Sequence, residues 1–67
     1  MSVARDIEIS ATSTEGFDDA LRRGIERATD TLRRVNSARV KTQKVDITDG
    51  VITTYRLSMV VTCELEE

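Results

Sequence analysis

Residues 54–65 alternate between two sets of side chains, and this pattern limits the fold more than any other feature of the sequence. The odd positions are mostly apolar: Tyr55, Leu57, Met59, Val61, Cys63 and Leu65. The even positions are polar except for Val60. A period of two residues is typical of a β-strand with one buried face. The pattern therefore predicts a long strand here, with the odd side chains facing the core.

Two earlier segments also have strand patterns. In residues 3–12, Ile7, Ile9 and Ala11 alternate with polar residues, which predicts a half-buried first strand. Residues 38–47 predict a second strand, but its apolar positions change from even to odd numbers along the segment. We therefore expect a bulge or bend between Thr42 and Lys44. Asp49-Gly50 then predicts a hairpin turn into the third strand.

A helix is predicted between the first two strands. Ser13 is the expected N-cap, and Glu15, Asp18 and Asp19 follow where the positive end of a helix favours carboxylates. Apolar residues then recur every three or four positions and predict one buried helical face: Phe17, Ala20, Leu21, Gly24, Ile25, Ala28, Leu32 and Val35. Gly24 lowers helix propensity, so we expect it to allow close approach to the sheet.

The element order β-α-β-β predicts an α+β fold, in which one helix covers one face of a three-stranded antiparallel sheet. With 67 residues the chain is expected to form a single domain, residues 1–67, with a thin core. One cysteine and no histidine exclude an internal disulfide and the common zinc frameworks. Because the sheet would keep two open edges, we expect it to associate with copies of itself.

Several functional classes are not favoured by the sequence. No apolar run approaches the length of a membrane span, and residues 1–10 lack the apolar core of a secretory signal, so we expect no membrane association and a cytoplasmic location. Eight of the ten basic residues lie in the middle of the chain, but a helix dipole accounts for them and only Phe17 and Tyr55 could stack on bases. We expect no nucleic-acid partner.

Catalysis is also not expected. The chain has no histidine, no glycine-rich phosphate loop and no nucleophile beside a recognisable base. Cys63 lies in the inward set of the third strand and is interpreted as a small buried hydrophobe, and Tyr55 as a core residue. The sequence therefore favours binding or assembly over an enzymatic role.

The chain resembles the dodecin family over nearly its whole length. The resemblance is carried by the short opening strand, by the segment "ATSTEGFDDALRRGIERATDTLRRV" that follows it, by the next two strands and by the ending "CELEE". The Thr-Ser pair that closes the first strand and the "TLR" at the helix end are the most specific parts. The resemblance implies a sheet wrapped around its helix and a hollow dodecamer of identical chains. It also implies flavin binding and storage, with flavins sandwiched by a tryptophan of the second strand and bonded by a glutamine of the third.

Both flavin-binding positions differ in this chain. The tryptophan position falls on Ser37, followed by Ala38, and the glutamine position falls on Arg56. Since Ser37 offers no ring for stacking or burial, we expect the usual flavin site to be disabled. A rearranged flavin pocket remains one alternative, and an assembly without a specific ligand is another. Arg56 could instead bind a phosphate or carboxylate through its planar fork, or pair with an acid across the strands.

Divalent cations, calcium in particular, are the preferred ligand hypothesis. Calcium takes six to eight oxygen ligands, and oxygen donors occur in the first strand and around the hairpin: Asp6, Glu8, Asp46, Thr48 and Asp49. The segment "DITDG" does not have the spacing of an EF-hand loop. A carboxylate repeated around a symmetry axis, however, supplies two or three ligands without any motif in the sequence.

Overall fold

The computed structural model of the chain describes residues 3–65. They form β1 (Val3–Ser13), α1 (Phe17–Thr31), β2 (Val35–Thr48) and β3 (Val51–Leu65). The strands make one antiparallel sheet in the order β1-β3-β2, so the last strand along the chain lies in the middle. The predicted β-α-β-β order and the three-stranded antiparallel sheet with one helix are confirmed.

β3 supplies most of the buried core, as its alternation predicts. Leu57, Met59, Val61 and Cys63 are buried, and Met59 and Val61 have no exposed surface. Side chains at alternate positions point to opposite faces of a sheet. We call the face that carries these odd residues the inner face and the face of Arg56, Ser58, Val60 and Thr62 the outer face. The helix therefore packs on the inner face, where the odd residues of β3 lie.

Small residues of α1 let it pack closely on the sheet. Ala20, Gly24 and Ala28 are its buried residues, at intervals of four. A Cβ atom on Gly24 would lie 2.6 Å from Met59 Cε and 3.2 Å from Ala11 Cβ. Both separations are shorter than ordinary van der Waals contacts. The expectation that Gly24 permits close approach to the sheet is confirmed.

The predicted N-cap is wrong. Gly16 occupies the N-cap position of α1, with no side-chain hydrogen bond, and Ser13 is the last residue of β1. The Ser13 hydroxyl oxygen instead accepts a hydrogen bond from the Glu15 amide at 2.9 Å, and the hydroxyl donates to Asp19 Oδ2 at 2.6 Å. Ser13 thus turns the chain between strand and helix and holds Asp19 of the first helical turn.

The helix also ends earlier than its apolar pattern predicts. Leu32 is the C-cap and has an extended backbone, with φ −109° and ψ 142°, and Val35 already belongs to β2. Arg34 makes the corner with a positive φ of 57°, and its carbonyl accepts the Glu64 amide at 3.0 Å. Leu32 and Val35 still pack on the core, but from the connection and from β2 rather than from the helix.

β2 is irregular at three places. A bulge is present in β2, but it falls at Lys41, between Val40 and Thr42, so the predicted position between Thr42 and Lys44 is wrong. Two further register shifts, at Asn36 and between Asp46 and Ile47, were not predicted. The turn between β2 and β3 has positive φ at Asp49 (52°) and Gly50 (77°), the combination of a type I′ hairpin. The hairpin prediction is therefore confirmed.

Much of the β2-β3 hairpin has no cover within one chain. α1 lies against β1 and β3, and most side chains of β2 are exposed. The exposed large apolar side chains of the hairpin include Val40, Ile47, Val51 and Ile52. The described chain measures 52 × 19 × 13 Å.

In residues 3–65, α1 is the one helix, and it is neither long nor apolar enough to cross a membrane.

Candidate functional site

The outer face of the sheet carries most of the residues that the sequence singled out. Directly opposite residues of antiparallel strands point to the same side. Asp6 and Ser37 both lie opposite Thr62, and Thr12 and Lys44 both lie opposite Arg56. The outer face is therefore a set of short rows, each crossing the sheet from β1 through β3 to β2.

Ser37 lies at one end of this face. It follows the bulge at Asn36 and is exposed opposite Thr62. Ala38 pairs with Val61 and consequently points to the inner face. Ser37 and Ala38 therefore do not contribute to one surface, and Ser37 lies within β2, which begins at Val35 rather than at the predicted residue 38.

Arg56 lies in a different row from Ser37. Their rows are six residues apart along β3, roughly 20 Å at the rise of a β-strand. Arg56 Nε donates a hydrogen bond to Asp46 Oδ2 at 2.7 Å. The cross-strand pair considered for Arg56 is thus present. Within one chain Ser37 and Arg56 do not share a pocket, so a site that uses both needs residues from two copies.

The β1 carboxylates lie on the Ser37 side of the outer face. Asp6 Oδ1 accepts a hydrogen bond from the Thr62 hydroxyl at 2.8 Å. Glu8 Oε1 forms an ion pair with Lys41 Nζ at 3.0 Å, across the central strand. Glu8 is consequently already charge-compensated, whereas Asp6 has only a neutral donor among the described residues.

The hairpin donors lie at the other end of the molecule. Asp46 pairs with Thr54 in the sheet, Thr48 pairs with Val51 beside the turn, and Asp49 is in the turn itself. The Asp46 row is six to eight residues of β3 from the rows of Glu8 and Asp6, roughly 20 to 26 Å. Among residues 3–65, no three histidine, cysteine or acidic side chains come together as a metal-binding group.

The sequence did not predict a cleft that Arg56 lines. A depression of about 450 Å³ lies where β1 ends and α1 begins, between Arg23 of the helix and Arg56 of the sheet. Thr12, Thr14 and Thr54 are also in its wall. The lining residues come from three separate elements, β1, α1 and β3, and from the turn before α1, so no local sequence motif predicts the cleft. Predicting the cleft would have required knowing that Thr12 lies opposite Arg56 in the sheet, and strand register cannot be derived from periodicity alone.

Among residues 3–65, Asp19 is the one group with a clearly shifted pKa. The hydrogen bond from the Ser13 hydroxyl lowers the pKa of this carboxyl most, and the hydrogen bond from Arg23, 2.7 Å away, lowers it further. Arg22, 3.6 Å from the other carboxylate oxygen, contributes in the same direction. Asp19 therefore acts as a fixed anion that orients Arg23, rather than as a group that exchanges protons near neutrality.

The dodecin family model matches residues 3–66 of the chain. A dodecin from Streptomyces davaonensis is 35% identical, with a TM-score of 0.91, and the match covers 98% of this chain and 97% of that one. A tryptophan-to-phenylalanine variant of the Thermus thermophilus dodecin is 30% identical over 100% of both chains, with a TM-score of 0.92.

A third similar structure is the calcium-chelating immunodominant antigen, calcium dodecin, of Mycobacterium tuberculosis, described as having a novel calcium-binding site. It is 28% identical, with a TM-score of 0.83, and the match covers 97% of this chain and 93% of that one. No protein with a curated description matches the chain significantly. The family model and the solved structures agree with the observed topology, and the chain belongs to the dodecin family.

Proposed function

We propose that the chain forms a homododecamer that binds and sequesters a small ligand. The proposed ligand is a divalent cation, calcium, and the proposed role of the protein is binding without catalysis. The observation that carries this proposal is the replacement of the family's stacking residue: Ser37 stands at that position, and the sequence contains no tryptophan. The Thermus thermophilus relative does carry a tryptophan that was replaced in its variant. The Mycobacterium tuberculosis relative is named a calcium dodecin.

Two features argue against flavin as the ligand. Stacking on an aromatic ring is worth about 0.5 to 1.5 kcal/mol beyond the burial of its area, and a hydroxymethyl side chain provides neither. Arg56, at the family's glutamine position, carries a positive charge and is tied to Asp46. A flavin ring would meet a charged, already bonded group where the family offers a neutral amide.

The cation would be held by residues from more than one copy. Calcium needs six to eight oxygens, and one chain does not gather three acidic side chains among its described residues. Asp6 and Asp49 are the strongest candidates, because neither forms an ion pair with any described residue. Glu8 and Asp46 would have to share their carboxylates with Lys41 and Arg56, and Thr48 would add a neutral oxygen beside Asp49.

The assembly is supported by the surface that one chain leaves uncovered. Val40, Ile47, Val51 and Ile52 expose between 39% and 62% of their area. Several exposed apolar side chains on one hairpin, together with free strand edges on β1 and β2, are features that monomers normally avoid. Further copies of the chain would bury these side chains and edges, and would bring the carboxylates of different copies together.

Native mass spectrometry of protein purified without added ligand tests the proposal. We expect twelve chains carrying calcium-sized mass increments that a chelator removes. A dodecamer that gains flavin masses after riboflavin addition would support the alternative, a flavin store with a rearranged pocket. A dodecamer that takes up neither calcium nor riboflavin would favour a purely structural assembly and would contradict the cation proposal.

A further inference from the structure

The cleft between β1 and α1 contains two arginines that are held in place by carboxylates. Arg23 Nε donates to Asp19 Oδ2 and Arg56 Nε donates to Asp46 Oδ2, each at 2.7 Å. Both arginines line the same 450 Å³ cleft. Each guanidinium is therefore held in one orientation by a carboxylate: Asp19 lies in the cleft wall beside Arg23, and Asp46 lies outside the cleft beside Arg56.

The hydrogen-bonding capacity of these guanidiniums is only partly used. Arginine has five N–H donors, of which Nε supplies one and the two terminal nitrogens supply four. Among residues 3–65, the one hydrogen bond that each of Arg23 and Arg56 makes uses Nε. The terminal N–H groups are the part of the fork that binds phosphate and carboxylate oxygens. An oxyanion in the cleft would satisfy donors that the chain itself leaves without an acceptor.

Hydroxyl groups add neutral donors to the same wall. Thr12 lies opposite Arg56 in the sheet, Thr54 lies two residues before it, and Thr14 is in the turn before α1. All three threonines line the cleft. Lys44, directly opposite Arg56 on the other side, adds a like charge next to it. Adjacent like charges are unfavourable without a counter-ion, and Asp46 compensates for only one of the two.

We propose that this cleft binds a phosphate group, free or as part of a phosphate ester, between the guanidiniums of Arg23 and Arg56. Asp19 and Asp46 act as positioning residues, and the threonines donate hydrogen bonds. The proposal goes beyond the cation binding described above, because none of Asp6, Glu8, Asp46, Thr48 and Asp49 lines the cleft. Glu15 also lines the cleft and is the one acid in its wall without a described ion pair.

Calorimetric titration of the full chain with inorganic phosphate, after chelator treatment so that calcium phosphate cannot form, tests the proposal. We expect saturable binding that weakens with added salt, as for an exposed charged site. Titration with phenyl phosphate distinguishes the two sources. Tighter binding of the ester indicates an organic phosphate, and equal or weaker binding indicates the free ion. Absence of phosphate and phenyl phosphate binding overturns the proposal without affecting the calcium measurement.

Two neighbouring arginines provide a matched pair of variants. Arg23→Gln should weaken phosphate binding by at least about tenfold, the value of a charge-assisted hydrogen bond. Arg22→Gln removes the same charge, also beside Asp19, but Arg22 does not line the cleft. It should change binding less than about twofold, since exposed charges act weakly at a distance. Equal effects of the two variants would mean nonspecific attraction and would overturn the proposal.

A variant of Glu15 tests whether the cleft binds an anion or a cation. Glu15→Gln keeps the backbone hydrogen bond to Ser13 and removes a negative charge from the wall. Phosphate binding should become severalfold tighter in this variant, because a repulsive carboxylate is lost. If the variant instead binds phosphate no better and loses calcium, the cleft is a cation site and the proposal fails. Circular dichroism and native mass spectrometry establish that each variant keeps its fold and assembly.

Discussion

Gly24 is the residue at which helix propensity and packing make opposite demands. Gly24→Ala should destabilise the fold by about 1 kcal/mol, because overpacking costs roughly 1–3 kcal/mol and alanine returns up to about 1 kcal/mol of helix propensity. Ala11 Cβ has no side-chain torsion by which to move away, and the flexible end of the fully buried Met59 would have to find space inside the core. Urea unfolding at fixed protein concentration measures the difference.

Gly16→Ala is the control for that measurement. Gly16 has an extended backbone, and a Cβ there would meet nothing within 4 Å. We expect this substitution to change the free energy of unfolding by less than about 0.5 kcal/mol, as for surface changes elsewhere. A Gly24→Ala protein as stable as the Gly16→Ala protein would show that the helix can move away from Met59 without cost.

Substitution of Ser37 tests whether the missing aromatic ring is the reason for the expected loss of flavin binding. Ser37→Trp combined with Arg56→Gln restores both groups that the family uses, so we expect riboflavin fluorescence to be quenched on addition of this double variant. Ser37→Ala combined with Arg56→Gln lacks the ring and should leave riboflavin fluorescent. Equal quenching by the two proteins would mean that the aromatic ring at this position is not what decides flavin binding.

At the scale of elements, the junction between β1 and α1 makes stability depend on acidity. The pKa of Asp19 is lowered from its ordinary value of 3.8, chiefly by the Ser13 hydroxyl. A lowered native pKa means that the stabilisation is complete above the unfolded-state pKa and is lost as pH falls through the native one. Wild-type protein should therefore lose its stability advantage over Asp19→Asn below pH 3.8.

Urea midpoints of the two proteins at pH 6 and at successive values below pH 4 check this dependence. Ser13→Ala removes the largest cause of the lowered pKa, so the native pKa of Asp19 should lie closer to its ordinary value in this variant. The stability difference between Ser13→Ala and the double variant Ser13→Ala with Asp19→Asn should therefore disappear at a higher pH than the difference between wild type and Asp19→Asn. A constant difference between wild type and Asp19→Asn across the acid range would contradict the ion pair and hydrogen bond as causes.

The elements were predictable where one face of the sequence pattern is buried, and less so elsewhere. The alternation in β3 correctly assigned Leu57 and Met59 to the core because burial selects for that period. Ser13 was misplaced as an N-cap, since serine bonds equally well in the turn before a helix. The side-by-side position of Lys44 and Arg56 depends on register, and the change of apolar positions in β2 predicted a bulge but not its place at Lys41.

The candidate site was predictable only as a list of chemical groups. Oxygen donors such as Asp6 and Asp49 are visible in the sequence, but their separation along β3 follows from strand pairing. Residues contributed by a second copy cannot be read from one chain at all. In the proposed site shared between copies, the residues that would complete the ligand shell are therefore the ones that periodicity does not encode.

For the whole molecule, the exposed hairpin should decide whether the chain assembles. Ile52 exposes 46% of its area on β3. Ile52→Lys should convert the assembly to smaller species, because an ammonium group buried without a partner costs several kcal/mol. Thr29→Lys adds the same charge on the exposed side of the helix and should leave the mass unchanged. Light scattering after size exclusion distinguishes the results, and an intact Ile52→Lys assembly would place the contacts elsewhere.

The central position of β3 has a consequence for synthesis on the ribosome. β1 and β2 each pair with β3 and not with each other, so neither strand has a partner until β3 has been translated. The nascent chain up to Thr48 can form a helix but no sheet, and its apolar strand residues stay in contact with solvent or chaperones. Sheet formation therefore waits for β3, the strand that also supplies most of the buried core.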